Sequence, residues 1–356
     1  ESSSGATLFI EPSATIPLGN AEREAEIAEE REVRRVLAEL TVLLRPWAES
    51  LAGVQEMCVA ADDLAARGRY AARCDAVAPA VGAPGAPIVV RGGRHPILLA
   101  RGIPVVPFDL ILAPGERTVL VSGPNTGGKT VFLKAVGLLA ALAQSGIVPP
   151  LGAGSSLPLF HRFHADIGDH QSIAADLSTF SAHMAEVRRI LDDADGGTLV
   201  LFDEIGSGTD PAEGAALAAA TLTALTARGV TTIATTHLGA LKELASRIDG
   251  VVNASLQFDV AALAPTYRFQ KGVPGRSYGL AIARRLGVDA AVLAAADALV
   301  STEERRLDQL LAAAEARAAE LDRRERELAD RTLDAENLAA RLTATEATQG
   351  AREAAL

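Results

Sequence analysis

The sequence predicts an α/β fold: a mixed sheet with helices on its faces, built around a phosphate-binding loop, with helices before it and a long helix after it. Three observations predict this. Gly123-Pro124-Asn125-Thr126-Gly127-Gly128-Lys129-Thr130 lies between an apolar run, Thr118–Val121, and a helix-like run starting at Val131. Strand, glycine-rich loop and helix, in that order, is the context in which G-x4-G-K-T holds phosphates. Thr198–Phe202 is a second apolar run, and it ends in Asp203-Glu204. From Ile88 to about Val300, strand-like and helical stretches alternate, the pattern of a mixed or parallel sheet.

Residues Glu1 to Pro12 open the chain as a turn followed by the strand-like Ala6–Glu11. From Asn20 the spacing of Ile27, Val33, Val36, Leu37, Leu40, Leu43 and Leu44 predicts an amphipathic helix that Pro46 kinks or ends. A second helical run covers Leu51 to Ala78, and the prolines from Pro79 to Pro87 mark a boundary. Strands are expected at Ile88–Val90, Thr118–Val121, Thr198–Phe202, Val230–Ala234, Gly250–Phe258 and Thr266–Gln270. After Thr302 the chain becomes rich in Glu, Arg, Ala and Leu. A seven-residue ladder runs Leu307, Ala314, Leu321, Leu328, Ala335, Leu342, but Arg317, Arg324 and Arg331 interrupt the second seam. Because a coiled coil needs two apolar seams, the pattern predicts a long charged helix with a narrow stripe. The expected division is a helical region at 1–85, a nucleotide-binding domain at 86–300 and the charged helix at 301–356.

The 356 residues suit two or three domains. Apolar residues at 49% and aromatics at 4% leave the core to Ala and Leu. A net charge of −11 excludes a surface coated for non-specific duplex binding, so any nucleic-acid contact is local. Cys58 and Cys74 have no metal-site spacing and suit a reducing cytoplasm. The apolar stretch Val136–Ala143 is too short for a membrane span. The chain opens on Glu1 and closes on a charged helical pattern, so both ends are expected to be cuts within a longer protein.

The loop glycines let successive backbone N–H groups point at phosphates. Lys129 is expected to neutralise the β- and γ-phosphates of ATP, and the Thr130 hydroxyl to ligate Mg2+. Asp203, at a strand end, is the second expected metal ligand. Glu204 beside it is expected to polarise the attacking water, which favours hydrolysis over transfer to a small molecule. His237, closing Thr235-Thr236-His237 after a third strand, is placed to sense the γ-phosphate. His161, His164 and His170 lack a periodicity that would align them on a metal, and His95 and His183 suit structural roles.

Together G-P-N-T-G-G-K-T, D-I-G-D-H-Q-S-I, L-S-T-F-S-A-H-M, L-F-D-E-I-G-S-G-T-D-P, A-T-T-H and R-S-Y-G-L resemble the MutS family of ABC-type ATPases, in order and spacing from about Gly92 to Gly287. The opening E-S-S-S-G-A-T-L-F-I-E-P and the final charged helix resemble the bacterial MutS-two branch, which lacks a mismatch-reading domain. The resemblance implies a homodimer in which Ser178 reaches the nucleotide of the other subunit, and an interface loop at Gly206–Asp210. It implies Asn125 near the γ-phosphate, and adenine held between Tyr267 and Val105 or Val106. It also implies partial core and lever helices at 1–85, a dimerisation element at Val288–Val300, and a C-terminal Smr nuclease domain that does not follow Leu356. Full-length members of the branch are linked to suppression of homologous recombination, with branched or duplex DNA as substrate, and to splitting of collided ribosomes. The expected function is an ATP-hydrolysing clamp on DNA or RNA. The competing classes are an ATP-gated binding module and a chromosome-organising coiled-coil ATPase. The latter carries a Gly-Gly signature where this chain has Leu177-Ser178-Thr179-Phe180.

Overall fold

The computed structural model describes residues 12–123, 128–168, 179–259, 262, 264–276 and 278–300, with single positions and short groups between 306 and 339. The expected strand at Ala6–Glu11 lies outside them. The chain divides into two compact units, 1–69 and 70–356.

In the first unit α1 (Ile16–Leu44) starts with proline in its first turn, a position that needs no N–H. It stops two residues before Pro46, whose ring would clash with the carbonyl four residues back. A 3₁₀ turn, Arg45–Trp47, leads into α2 (Ala48–Arg73), and neither helix buries a residue. Arg35 bonds Glu32 and Glu39 along one exposed face of α1.

The second unit contains two sheets. The smaller pairs β1 (Ala80–Gly82), β5 (Ser156–Pro158), β2 (Val89–Gly93) and β3 (Phe108–Ile111) in that spatial order, and α3 (Pro96–Ala100) follows β2. β1 pairs with β5 in parallel, so the proline-rich stretch from Pro79 lies inside this unit and not between the two.

The larger sheet has the order β10 (Ala264–Lys271), β9 (Val251–Asp259), β4 (Thr118–Ser122), β8 (Thr231–Thr236), β7 (Thr198–Phe202), β6 (Arg162–Asp166). It is parallel except for β10, which returns antiparallel to β9, so the sheet is mixed as expected. β4, β7 and β8 are buried along their whole length, which is why they read as continuous apolar or Thr-rich runs.

Strand alternation splits the core. Val119 and Val121 face Phe132, Leu133 and Leu139 of α4 (Lys129–Gln144). Leu120, Val200 and Phe202 face Ile190 of α5 (Thr179–Asp193) and Leu222 and Leu225 of α6 (Pro211–Ala227). The short α7 (Leu244–Arg247) precedes β9, and α8 (Gly279–Arg285) and α9 (Ala290–Leu299) follow β10. The described residues between 306 and 339 are helical. Among the described residues no helix is long and apolar enough to cross a membrane.

Candidate functional site

The C-terminal ends of three neighbouring parallel strands, β4, β7 and β8, bring the sequence-predicted residues together. β4 delivers Gly123, at φ 137°, and Gly128 caps α4 at φ 85°. A side chain on Gly128 would come within 2.9 Å of the Tyr267 ring, so both its backbone and its neighbour require glycine there. Pro124, Asn125, Thr126 and Gly127 lie outside the described residues. Behind the loop, a Cβ on Gly275 would meet the Ser122 carbonyl at 2.6 Å, and its N–H donates to Ser122 Oγ at 2.8 Å.

Lys129 is 2% exposed, and its ammonium donates to the Gly123 carbonyl. Burial pushes its pKa down. The carboxylates of Glu204 and Asp203 oppose that, and the positive charge of Lys242 adds to it. A lysine in such a place gains most from an arriving anion.

Asp203 is the hub. The Thr130 hydroxyl donates to its Oδ2 at 2.6 Å, and the Thr235 hydroxyl donates to its Oδ1 at 2.6 Å. Its backbone N–H donates to the Asp166 carbonyl at 2.8 Å. A carboxylate and a hydroxyl in contact at the mouth of a phosphate loop are hard oxygen donors, and their chemistry fits Mg2+.

Glu204 has φ 51°, a left-handed conformation that costs a non-glycine residue on the order of 1–3 kcal/mol. Its N–H donates to Thr235 Oγ1 at 2.8 Å, and the N–H of Ile205 donates to the Thr235 carbonyl at 2.9 Å. Thr235 therefore grips three consecutive residues, 203 to 205.

His237 follows β8 directly and is exposed. Ser178 lies outside the described residues, immediately before α5. Tyr267 sits at a bulge in β10 with φ 57°. Together with Val105, Val106, Val131, Phe132 and His95 it lines a cavity of about 240 Å³ that also touches Gly128. Tyr267 and the two valines thus share one mostly apolar pocket beside the phosphate loop, with the shape and lining of a small-molecule site.

The other histidines pair with acids. His161 meets Asp195, and His164 Nε2 lies 3.0 Å from Asp193 Oδ1. The buried His183 meets the carboxylate of the buried Asp166 and lies edge-on to Phe202. His170 lies outside the described residues. Among the described residues no three His, Cys, Asp or Glu side chains are grouped to hold a metal.

One contributor was missed from the sequence. Thr235 carries no local signal, because its partners are fixed by which strands are neighbours. His95, read from the sequence as structural, directly precedes Pro96, a helix-start signature. In the structure His95 caps α3, its Nδ1 accepting from Leu98 N at 3.4 Å.

A family profile described as MutS domain V matches residues 119–304, just over half of the chain, from β4 through α9. The chain belongs to the MutS family. Relatives place it in the MutS2 branch. It is 55% identical to Endonuclease MutS2 of Gemmatimonas aurantiaca over 99% of this chain and 42% of that protein. It is 44% identical to Endonuclease MutS2 of a Geobacillus species over 88% of this chain and 40% of that protein. For Endonuclease MutS2 of Lachnospira eligens the identity is 45%, over 85% and 38%. The chain spans about two fifths of the length of these relatives. Apart from Val105 and Val106, every sequence-predicted site residue of this MutS chain falls within the matched domain.

Proposed function

We propose that this MutS-family chain binds ATP with Mg2+ and hydrolyses it as a homodimer that acts as a clamp on nucleic acid. The observation that supports hydrolysis most directly is Asp203, held between the hydroxyls of Thr130 and Thr235, with Lys129 buried beside it and Glu204 next in the chain.

In this reading the backbone of Gly123–Val131 wraps the phosphates. Lys129 gives up the Gly123 carbonyl for β- and γ-phosphate oxygens, whose charge restores the proton affinity that burial removes. Thr130 and Asp203 hold Mg2+, which when bound neutralises charge developing on the phosphate oxygens. Glu204 orients the attacking water and accepts its proton, and His237 donates a hydrogen bond to the γ-phosphate. The base sits between Tyr267 and Val105 or Val106 in the cavity they line. Ser178 of the partner subunit closes each site, so that each subunit carries one incomplete reaction centre.

The physiological target we propose, for the full-length cytoplasmic protein, is branched or duplex DNA or an RNA-containing ribosome, with roles in recombination control and ribosome quality control. The endonuclease activity in the relatives' name is proposed for the full-length protein and not for residues 1–356.

Steady-state ATP turnover tests the reading. Glu204→Gln is expected to lower kcat by about 100-fold or more while nucleotide still binds, as loss of a positioned general base does. Turnover equal in wild type and variant would replace hydrolysis with ATP-gated binding.

A further inference from the structure

We propose that Thr235 is the positioning residue of this site: its one hydroxyl sets Asp203 and Glu204 in register with each other. The proposal rests on the hydrolytic reading above and adds to it a residue that acts through Asp203 and Glu204.

The argument starts from valence. A threonine hydroxyl has one proton and two lone pairs. In Thr235 the proton goes to Asp203 Oδ1 at 2.6 Å, and a lone pair receives the N–H of Glu204 at 2.8 Å. The other carboxylate oxygen is set by Thr130 at 2.6 Å, which leaves the plane of the Asp203 carboxylate little freedom.

The accepted N–H does the second job. Glu204 is one of only three described non-glycine residues with positive φ, and the side chain of a residue in that conformation leaves the backbone in a direction a strand would not give. The bonds from Glu204 N to the Thr235 hydroxyl and from Ile205 N to the Thr235 carbonyl hold the turn in place from both sides. The position itself is rigid. Thr235 is fully buried in β8, between β4 and β7, and pairs with Val121. The residue that orients the acids is thereby fastened to the strand that feeds the phosphate loop.

Val puts a methyl group where Thr has its hydroxyl, so Thr235→Val removes both bonds and keeps the shape of the side chain. The expected result is a kcat lower by about 10- to 100-fold, the scale on which a misplaced catalytic group acts, with KM for ATP within about twofold. Thr235→Ser keeps the hydroxyl and is expected to recover most of the rate. A second readout needs no nucleotide: amide hydrogen exchange at Glu204 and Ile205 should speed up by at least about tenfold in Thr235→Val and stay slow in Thr235→Ser.

Wild-type kcat and exchange in Thr235→Val would overturn the proposal. So would a Thr235→Ser variant as impaired as Thr235→Val, because the methyl group would then be what matters. If Thr235→Val does not fold, Thr235→Ala with Thr235→Ser makes the same comparison. Turnover insensitive to Glu204→Gln would sink the hydrolytic reading, and the exchange arm would still decide whether Thr235 holds the acid pair.

Discussion

His95 shows how one residue carries both a structural role and a measurable consequence. It caps α3 through Nδ1, lines the cavity beside the phosphate loop, and is 7% exposed. Burial holds its pKa below the usual 6.5. A hydrogen bond to its own backbone opposes this, and the nearby Lys134 charge reinforces it. The folded state therefore resists a proton that the unfolded chain accepts. Stability from this group is fully present above the ordinary histidine pKa and is lost as pH falls from there through the lower folded-state value. Urea denaturation at pH 7.5 and 5.5 should show lower stability at the acid end, with at most about 1.4 kcal/mol per pH unit due to this one proton. His95→Asn keeps a capping oxygen and should flatten the slope; an unchanged slope would show that His95 contributes none of it. At this scale the sequence was most legible where chemistry is local. Lys129, Thr130, Asp203 and Glu204 all follow from short patterns, and the structure puts Thr130 in contact with Asp203 and sets Lys129 within electrostatic reach of both acids. Thr235 was illegible because its hydroxyl meets an acid 32 positions away.

Among the strands, the fully buried ones were the most legible. β4, β7 and β8 stood out because all their faces are covered, whereas β6 alternates between exposed and buried positions and reads as Arg-Phe-His-Ala-Asp. β1 and β5 have three residues each, too few for any period, and β3 has four. The overlooked β6 has a consequence for the site. Its last residue, Asp166, accepts the Asp203 N–H on its carbonyl and meets His183 of α5 with its carboxylate. The helix that begins just after Ser178 is thus tied to the segment that carries Asp203. Because both partners are buried, cutting the tie on one side leaves a polar group stranded. In a double-mutant cycle with His183→Leu and Asp166→Leu, each single variant should lose stability by about 3 kcal/mol. The double variant should lose less than the sum, with a coupling of about 1–3 kcal/mol in thermal or urea melts. Additive losses would mean that the pair does not act as a unit.

At the scale of the whole molecule, the proposed reaction centre is split between subunits, and that can be tested without seeing the interface. In that proposal each site takes Lys129 from one chain and Ser178 from the other. A Lys129→Ala chain therefore spoils the site it carries in cis, and a Ser178→Ala chain spoils the site it reaches in trans. In a hybrid of the two, one site receives both defects and the other receives neither. Random exchange makes half of the dimers hybrids, each with one intact site in two. If the sites act independently, mixing two inactive proteins in equal amounts should restore about a quarter of wild-type turnover. Strong coupling between sites would lower that figure but not abolish it. Mixing should have no effect on a chain carrying both substitutions, which controls for recovery by refolding. The net charge of −11 works against close approach of two copies at low ionic strength, so recovery should be faster at moderate salt, where screening shortens the range of repulsion. No recovery at any ratio, with subunit exchange verified by a labelled chain, would place Lys129 and Ser178 in service of the same copy's nucleotide and remove the reason for the dimer.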